Sequence, residues 1–379
     1  MLGLFVFIVV TWIWAAMAAD RRLMRIIQKV QRRVDELQAR DARRPVLRGE
    51  ARPGNGWEDY GQAAAELKPV KEAQSLQQLL SKSPKIDPAL GDRLLAEHGV
   101  ALDHLQRGAA RAASSSSSDH NRNMSGHNYV SALAQLKSRA LLKESRIKDC
   151  LDLLLDLCQF GRDLASTGPA FWETLGTMYM RGAWDEMHGV MGSGKATKSE
   201  LEELDRGLAT LDQIYPSHGE ALERDVLIFA QELIPTCESG IAWGRLLNIG
   251  FLEYHMEVAS RVAQAEPGGW SELQRVAREV EEEVSRSWNP LMKSSGTVFV
   301  QNLDQNRAAR ARLRLLRLEV HWRATGELLD LEDPFGGRLK HVVKDGALKA
   351  WSLGKDGVDD GGDGEWAKSG KDIVLEIIR

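Results

Sequence analysis

Five aspartates crowd the C-terminal end of the chain: Asp356, Asp359, Asp360, Asp363 and Asp372 lie within 17 residues. Calcium takes six to eight hard oxygen ligands from a loop able to curl around it, and such a run of carboxylates supplies them. Gly357, Gly361, Gly362 and Gly364 stand among the acids. Glycine lets the backbone turn so that carbonyls, such as that of Leu353, point inward. The expected metal site is therefore a Ca²⁺ site on Leu353, Asp356, Asp359, Asp360, Asp363 and Asp372. The competing reading is an acidic, solvated loop without an ion.

Other candidate chemistry is weaker. Gly189, Gly192, Gly194 and Lys195 have the spacing of a phosphate-binding loop, but Ala196 stands where a magnesium-binding Ser or Thr belongs and no apolar strand precedes it. A polar interhelical loop is expected there. Asp185 and His188 fall on one helical face, as in di-iron bundles, yet those sites need a second such motif. Glu253, His255 and Glu257 are the nearest candidates, but Glu253 and His255 face different sides of a helix. There is no HExxH, no CxxC, no GxSxG and no Rossmann glycine fingerprint. Cys150 and Cys158 sit about 12 Å apart along one helix, too far to pair, and with Cys237 read as buried thiols.

The elements that must position these residues are mostly helical. Apolar content of 43% and charged content of 27% suit a core-forming chain, and a net charge of -4 gives no reason to propose nucleic acid as a partner. Leu2–Ala19 carries no charge and spans about 27 Å as a helix, which predicts a single transmembrane anchor at 1–19. Arg21, Arg22, Arg25, Lys29, Arg32 and Arg33 follow within a basic amphipathic helix, 20–45, expected to lie against anionic headgroups. Membrane lipid, through residues 2–19 and 21–33, is thus one expected partner. After a linker at 46–56 come a small helical unit, 57–111, and a Ser-rich linker, 112–128. A helical-hairpin domain is expected at 129–290, with breaks at Gly168, Gly192–Gly194, Pro216, Pro235 and Pro267. Capping boxes are expected at Thr197…Glu200 and Ser271…Gln274. A long helix, 298–326, carries Arg307, Arg310, Arg314 and Arg317 on what reads as a solvated face. The tryptophans, among them Trp172, Trp184, Trp243, Trp288 and Trp322, read as packing residues. At 331–379 the period becomes extended: a β-hairpin turning at Asp345-Gly346, then a third strand around Ile373. The expected fold is mainly α, with a transmembrane helix, antiparallel helical hairpins and a small antiparallel sheet packed on the last long helix.

That tail carries a resemblance. Asp333-Pro334-Phe335-Gly336, the hairpin, Trp351-Ser352-Leu353-Gly354-Lys355-Asp356-Gly357 and the Asp/Gly loop closing at Asp372-Ile373 resemble the C-terminal region of the major pseudopilin of type II secretion. There, corresponding motifs form a small sheet around calcium, so the resemblance implies a calcium-stiffened sheet here. It covers about fifty residues, and the N-terminus departs from that family because it lacks a prepilin processing site. The whole chain also resembles large membrane-anchored proteins of planctomycetes and myxobacteria with the same ending. The expectation is a membrane-anchored structural or interaction protein of the bacterial cell envelope, with a protein partner. It would be single-pass in the inner membrane, its soluble part leaning outward although the basic residues argue for the cytoplasm. The alternative is an enzyme with a site between the helices of 129–326.

Overall fold

The computed structural model describes residues 2–41, 43–67, 87–114, 124–168, 170–239, 242–287, 302–364 and 371–377. For 2–16, 124, 236–239, 242–247 and 377 it describes the backbone alone. In chain order the elements are α1 (Leu2–Asp41), β1 (Arg52–Asn55), α2 (Gly56–Glu66), α3 (Pro88–Ala109), β2 (Arg111–Ala113), α4 (Met124–Lys143), α5 (Ile147–Thr167) and α6 (Ala170–Gly192). There follow α7 (Lys198–Gln213), α8 (His218–Ser239), α9 (Ala242–Ala265), α10 (Trp270–Arg286), α11 (Leu303–Thr325), β3 (Lys340–Lys344), β4 (Ala347–Ser352) and β5 (Ile373–Ile377). They form two compact units: Met1–Arg40 with Ser217–Leu303, and Asp41–Pro216 with Asp304–Arg379. The helices of 129–290 are divided between them.

In the first unit, α1 is one helix of 40 residues without a break where an anchor was expected to end. Ala19, Leu23, Ile26, Val30 and Leu37 recur at helical steps and are buried with Leu227 and Ala230 of α8 and Ile249 and Leu252 of α9. The basic residues beside this stripe meet carboxylates. Arg22 pairs with Glu253, Arg33 donates to both oxygens of Glu223 at 2.8 Å, and Arg40 pairs with Glu220 at 2.5 Å. Among the described residues no helix is long and apolar enough to cross a membrane. This corrects the expected transmembrane anchor, and with it the single-pass inner-membrane placement. The described apolar stripe of α1 has protein against it. Glu266, in the turn after α9, caps α8 by accepting from the amides of His218 (2.8 Å) and Gly219 (3.3 Å). A carboxylate there offsets the positive end of the helix dipole. Pro235 does not end α8, which continues to Ser239.

In the second unit, α5 and α6 cross closely because glycines meet at the contact. A Cβ on Gly161 would lie 2.6 Å from the carbonyl oxygen of Gly176, and one on Gly176 would be 2.7 Å from the amide nitrogen of Ala165. Leu154, Leu157, Cys158, Phe160, Met180 and Trp184 fill the core at this crossing, and Trp172 and Trp322 are buried as expected. Cys150 and Cys158 are buried thiols, and burial pushes Cys150 up to about 12. Trp288 and the side chains of Trp243 and Cys237 lie outside the described residues. α7 opens with the expected capping box, in which Thr197 and Glu200 bond reciprocally. The second box does not form: α10 begins at Trp270, behind Gly269 at φ +88° and without a side-chain cap. Segment 111–113 pairs with β1 as a two-stranded parallel ladder, which periodicity gave no sign of.

The arginine row of α11 departs from the solvated face expected of it. Arg310 and Arg314 donate to Asp212 at 3.2 and 3.0 Å, and Arg317 lies 3.4 Å from Asp205, so the row is an ionic seam against α7. From α11 the tail is held by Arg307, which donates to the Pro334 carbonyl (3.1 Å), and Arg314, which donates to that of Glu332 (2.7 Å). The tail is a three-stranded antiparallel sheet in the order β3-β4-β5, with Val342 opposite Lys349 and Ala350 opposite Leu375. Its hairpin turns at Asp345 and Gly346, both at positive φ (51° and 77°), the pairing a type I′ turn requires.

Candidate metal centre

The centre is built on the loop between β4 and β5. Asp333, at the Asp-Pro turn before the sheet, anchors its start. Its Oδ1 accepts from the Phe335 amide (2.9 Å) and the Ser352 hydroxyl (2.7 Å), and its Oδ2 from the Leu353 amide (2.7 Å). Burial raises the proton affinity of this carboxyl against the pull of those three donors. The loop's far end threads back alongside. Gly354, at φ +67°, has the Lys371 carbonyl against its Cα, and Gly364 has the Asp372 carbonyl against its own. A Cβ at either position would collide with backbone, so these glycines are required by close approach.

Asp372 sits inside this wrap with no exposed surface. Its Oδ2 accepts from the Gly362 amide at 2.8 Å, while its Oδ1 is buried without a hydrogen-bond partner. Desolvation raises its pKa, and the charges of Asp359 and Asp360 add to this, against the pull of the Gly362 and Asp360 amides. A buried carboxylate oxygen with no donor is costly unless a cation or proton meets it. Asp359 is held below its ordinary range by the Trp351 indole N–H (3.0 Å) and then the Gly361 amide (3.1 Å).

No protein-family model, curated protein or solved structure matches the chain. The site is therefore argued from its own geometry. Of the expected ligands, Asp359 and Asp360 lie near enough for their charges to act on Asp372. Asp356 is exposed and closes its own turn by accepting from the Val358 amide (3.1 Å). Asp363 is also exposed, 4.0 Å from the Lys371 ammonium. Leu353 is half-buried, its amide spent on Asp333. Among the described residues no group of three His, Cys, Asp or Glu converges closely enough to hold a metal. Side-chain ligation alone thus falls short of a calcium shell; the unpartnered oxygen of Asp372 is the feature that fits a cation. Sequence reasoning placed Asp333 in the resemblance without giving it a role. Its signal was the Asp-Pro pair, since an aspartate before a turn bonds amides two residues on.

The remaining candidates resolve into structural roles. His188 does not face a second ligand motif; its Nδ1 is 2.8 Å from Oε2 of the fully buried Glu319, whose Oε1 accepts from Arg323 at 3.0 Å. The Glu319 hydrogen bond raises the His188 pKa above its ordinary value. Glu253 pairs with Arg22, and His255 is buried with Nδ1 at the Phe251 carbonyl (2.7 Å). Lys195 reaches the Ser145 hydroxyl (3.2 Å) from the polar connection after α6, but the expected loop is only in part a loop, since Gly189 and Gly192 belong to α6.

Proposed function

We propose that this chain is a structural, partner-binding protein whose C-terminal sheet is stiffened by a calcium ion. The observation that carries the ion is the buried, unpartnered Oδ1 of Asp372 beside Asp359 and Asp360. Bound there, a divalent cation would neutralise Asp372 and tie β5 to the loop after β4. Backbone carbonyls and water complete the shell, as calcium's tolerance for irregular oxygen coordination allows. The pseudopilin-like order of turn, hairpin and Asp/Gly loop supports the same reading.

The test is thermal melting of the full chain with calcium, with magnesium and with chelator. A ligand at 100 times its Kd stabilises by about 2.7 kcal/mol. Such a gain shifts the melting of the Asp41–Pro216 and Asp304–Arg379 unit by several degrees, and Asp372→Asn should abolish the shift. Identical melting in millimolar calcium and in chelator would remove the ion from the proposal.

A further inference from the structure

A cleft of about 470 Å³ opens where α3, α4 and the start of α5 meet, within the size range of small-molecule sites. Its floor is apolar, formed by Leu95 and Leu102 of α3, Leu141 of α4 and Leu153 of α5. Its walls are charged, and most of those charges are already matched. Arg48 donates to both oxygens of Asp156, at 2.9 and 2.7 Å, and lies 3.8 Å from Asp152. Arg146 donates to Asp149 at 2.8 Å.

Two lining charges are left over. Lys137 of α4, half-buried, and Asp103 of α3, exposed, have no ion-pair partner among the described residues. They line the same cleft from different helices yet stand outside the 4.0 Å pairing distance of each other. A molecule that complements this surface carries an ammonium group at one end, a carboxylate at the other and an apolar body between. A charge-assisted hydrogen bond at each end and leucine contacts along the floor would then be made together.

We propose that this cleft binds a short apolar peptide with free termini, its ammonium on Asp103 and its carboxylate on Lys137. Arg48 and Arg146, each paired with acids of its own, are not the charges left over. The site is independent of the calcium loop.

Isothermal titration of the full chain with trileucine, its N-acetylated form and its C-terminal amide tests this. Saturable binding is expected, weakened about tenfold or more by either cap. Asp103→Asn should make the protein indifferent to acetylation and Lys137→Met indifferent to amidation. Neither side chain is in the core, and circular dichroism of each variant confirms the fold. Absence of binding up to about 10 mM trileucine, or indifference of the unmutated protein to either cap, overturns the proposal.

Discussion

Asp163→Ala probes the buried ionic network that ties the segment after α1 to α3 and α5. Asp163 has no exposed surface and Arg44 keeps only 5% of its own. The Oδ2 atom of Asp163 accepts from the Tyr60 hydroxyl at 2.8 Å and lies 3.1 Å from the Arg44 guanidinium. Its Oδ1 accepts from Gln159 at 3.0 Å and Arg162 at 3.3 Å. Truncation leaves Arg44 buried with only the carbonyls of Gly108 (2.7 Å) and Ala109 (3.3 Å). Removing one partner of a buried ion pair costs about 3–5 kcal/mol. The stranded Tyr60 hydroxyl adds about 1–3 kcal/mol, less whatever relaxation recovers. A loss of about 4–6 kcal/mol is therefore expected, a large part of the roughly 5–15 kcal/mol that stabilises a domain. Replacing both charges, Arg44→Met with Asp163→Leu, removes the buried unpaired charge but still strands the Tyr60 hydroxyl, so the double variant should be less destabilised than Asp163→Ala by about 2 kcal/mol. Urea titration followed by tryptophan fluorescence reports on this unit through the buried Trp57, Trp172 and Trp184, alongside Trp270 of the other unit. A single-variant loss below about 1 kcal/mol, or a double variant as unstable as the single, would refute the reasoning.

Three further outcomes follow from local geometry. Gly176→Ala should destabilise by at least about 1–3 kcal/mol, since its Cβ meets the Gly161 carbonyl and Ala165. Gly189→Ala in the same helix faces open space and should stabilise by about 0.5–1 kcal/mol; equal effects in urea melts would contradict the crossing described. Thr197→Ala removes a formed capping box and should cost about 1 kcal/mol. Ser271→Ala should stay within about 0.5 kcal/mol, because Gly269 precedes that helix. His188 carries a pKa raised by Glu319, so its contribution is complete below the unfolded value of about 6.5 and declines as pH rises through the higher folded value. Stability measured across neutral to alkaline pH should fall in the parent protein, and His188→Ala should flatten that part of the profile. An unchanged slope would show that the Glu319 bond does not hold the imidazolium.

Features legible before folding were those set by a few neighbouring residues. The Asp345-Gly346 turn needed two residues tolerant of positive φ, and both adopt it. The Thr197 box needed a hydroxyl and a carboxylate three residues apart, and it forms. Ser271 and Gln274 had the same spacing, but the buried Trp270 opens the helix and its cap lies two residues earlier, at Gly269, so pattern alone misled. In the candidate site, the residue types were legible and their convergence was not. Asp372 is enclosed where Gly354 and Gly364 let distant backbone pass close, an approach that only the fold reveals.

By itself the sequence determined the helical majority, the hairpin and its turn, the buried tryptophans and the acid-rich loop, because periodicity and turn chemistry act over a few residues. Tertiary structure decided what those faces meet. An apolar stripe lowers its free energy against lipid or against protein alike, and α1 meets protein because Leu227 and Ile249, some two hundred positions later, complete its surface. The arginines of α11 looked solvated until Asp205 and Asp212, a hundred residues earlier, arrived beside them. In both cases the decisive partner is remote in sequence, where no local spacing can announce it.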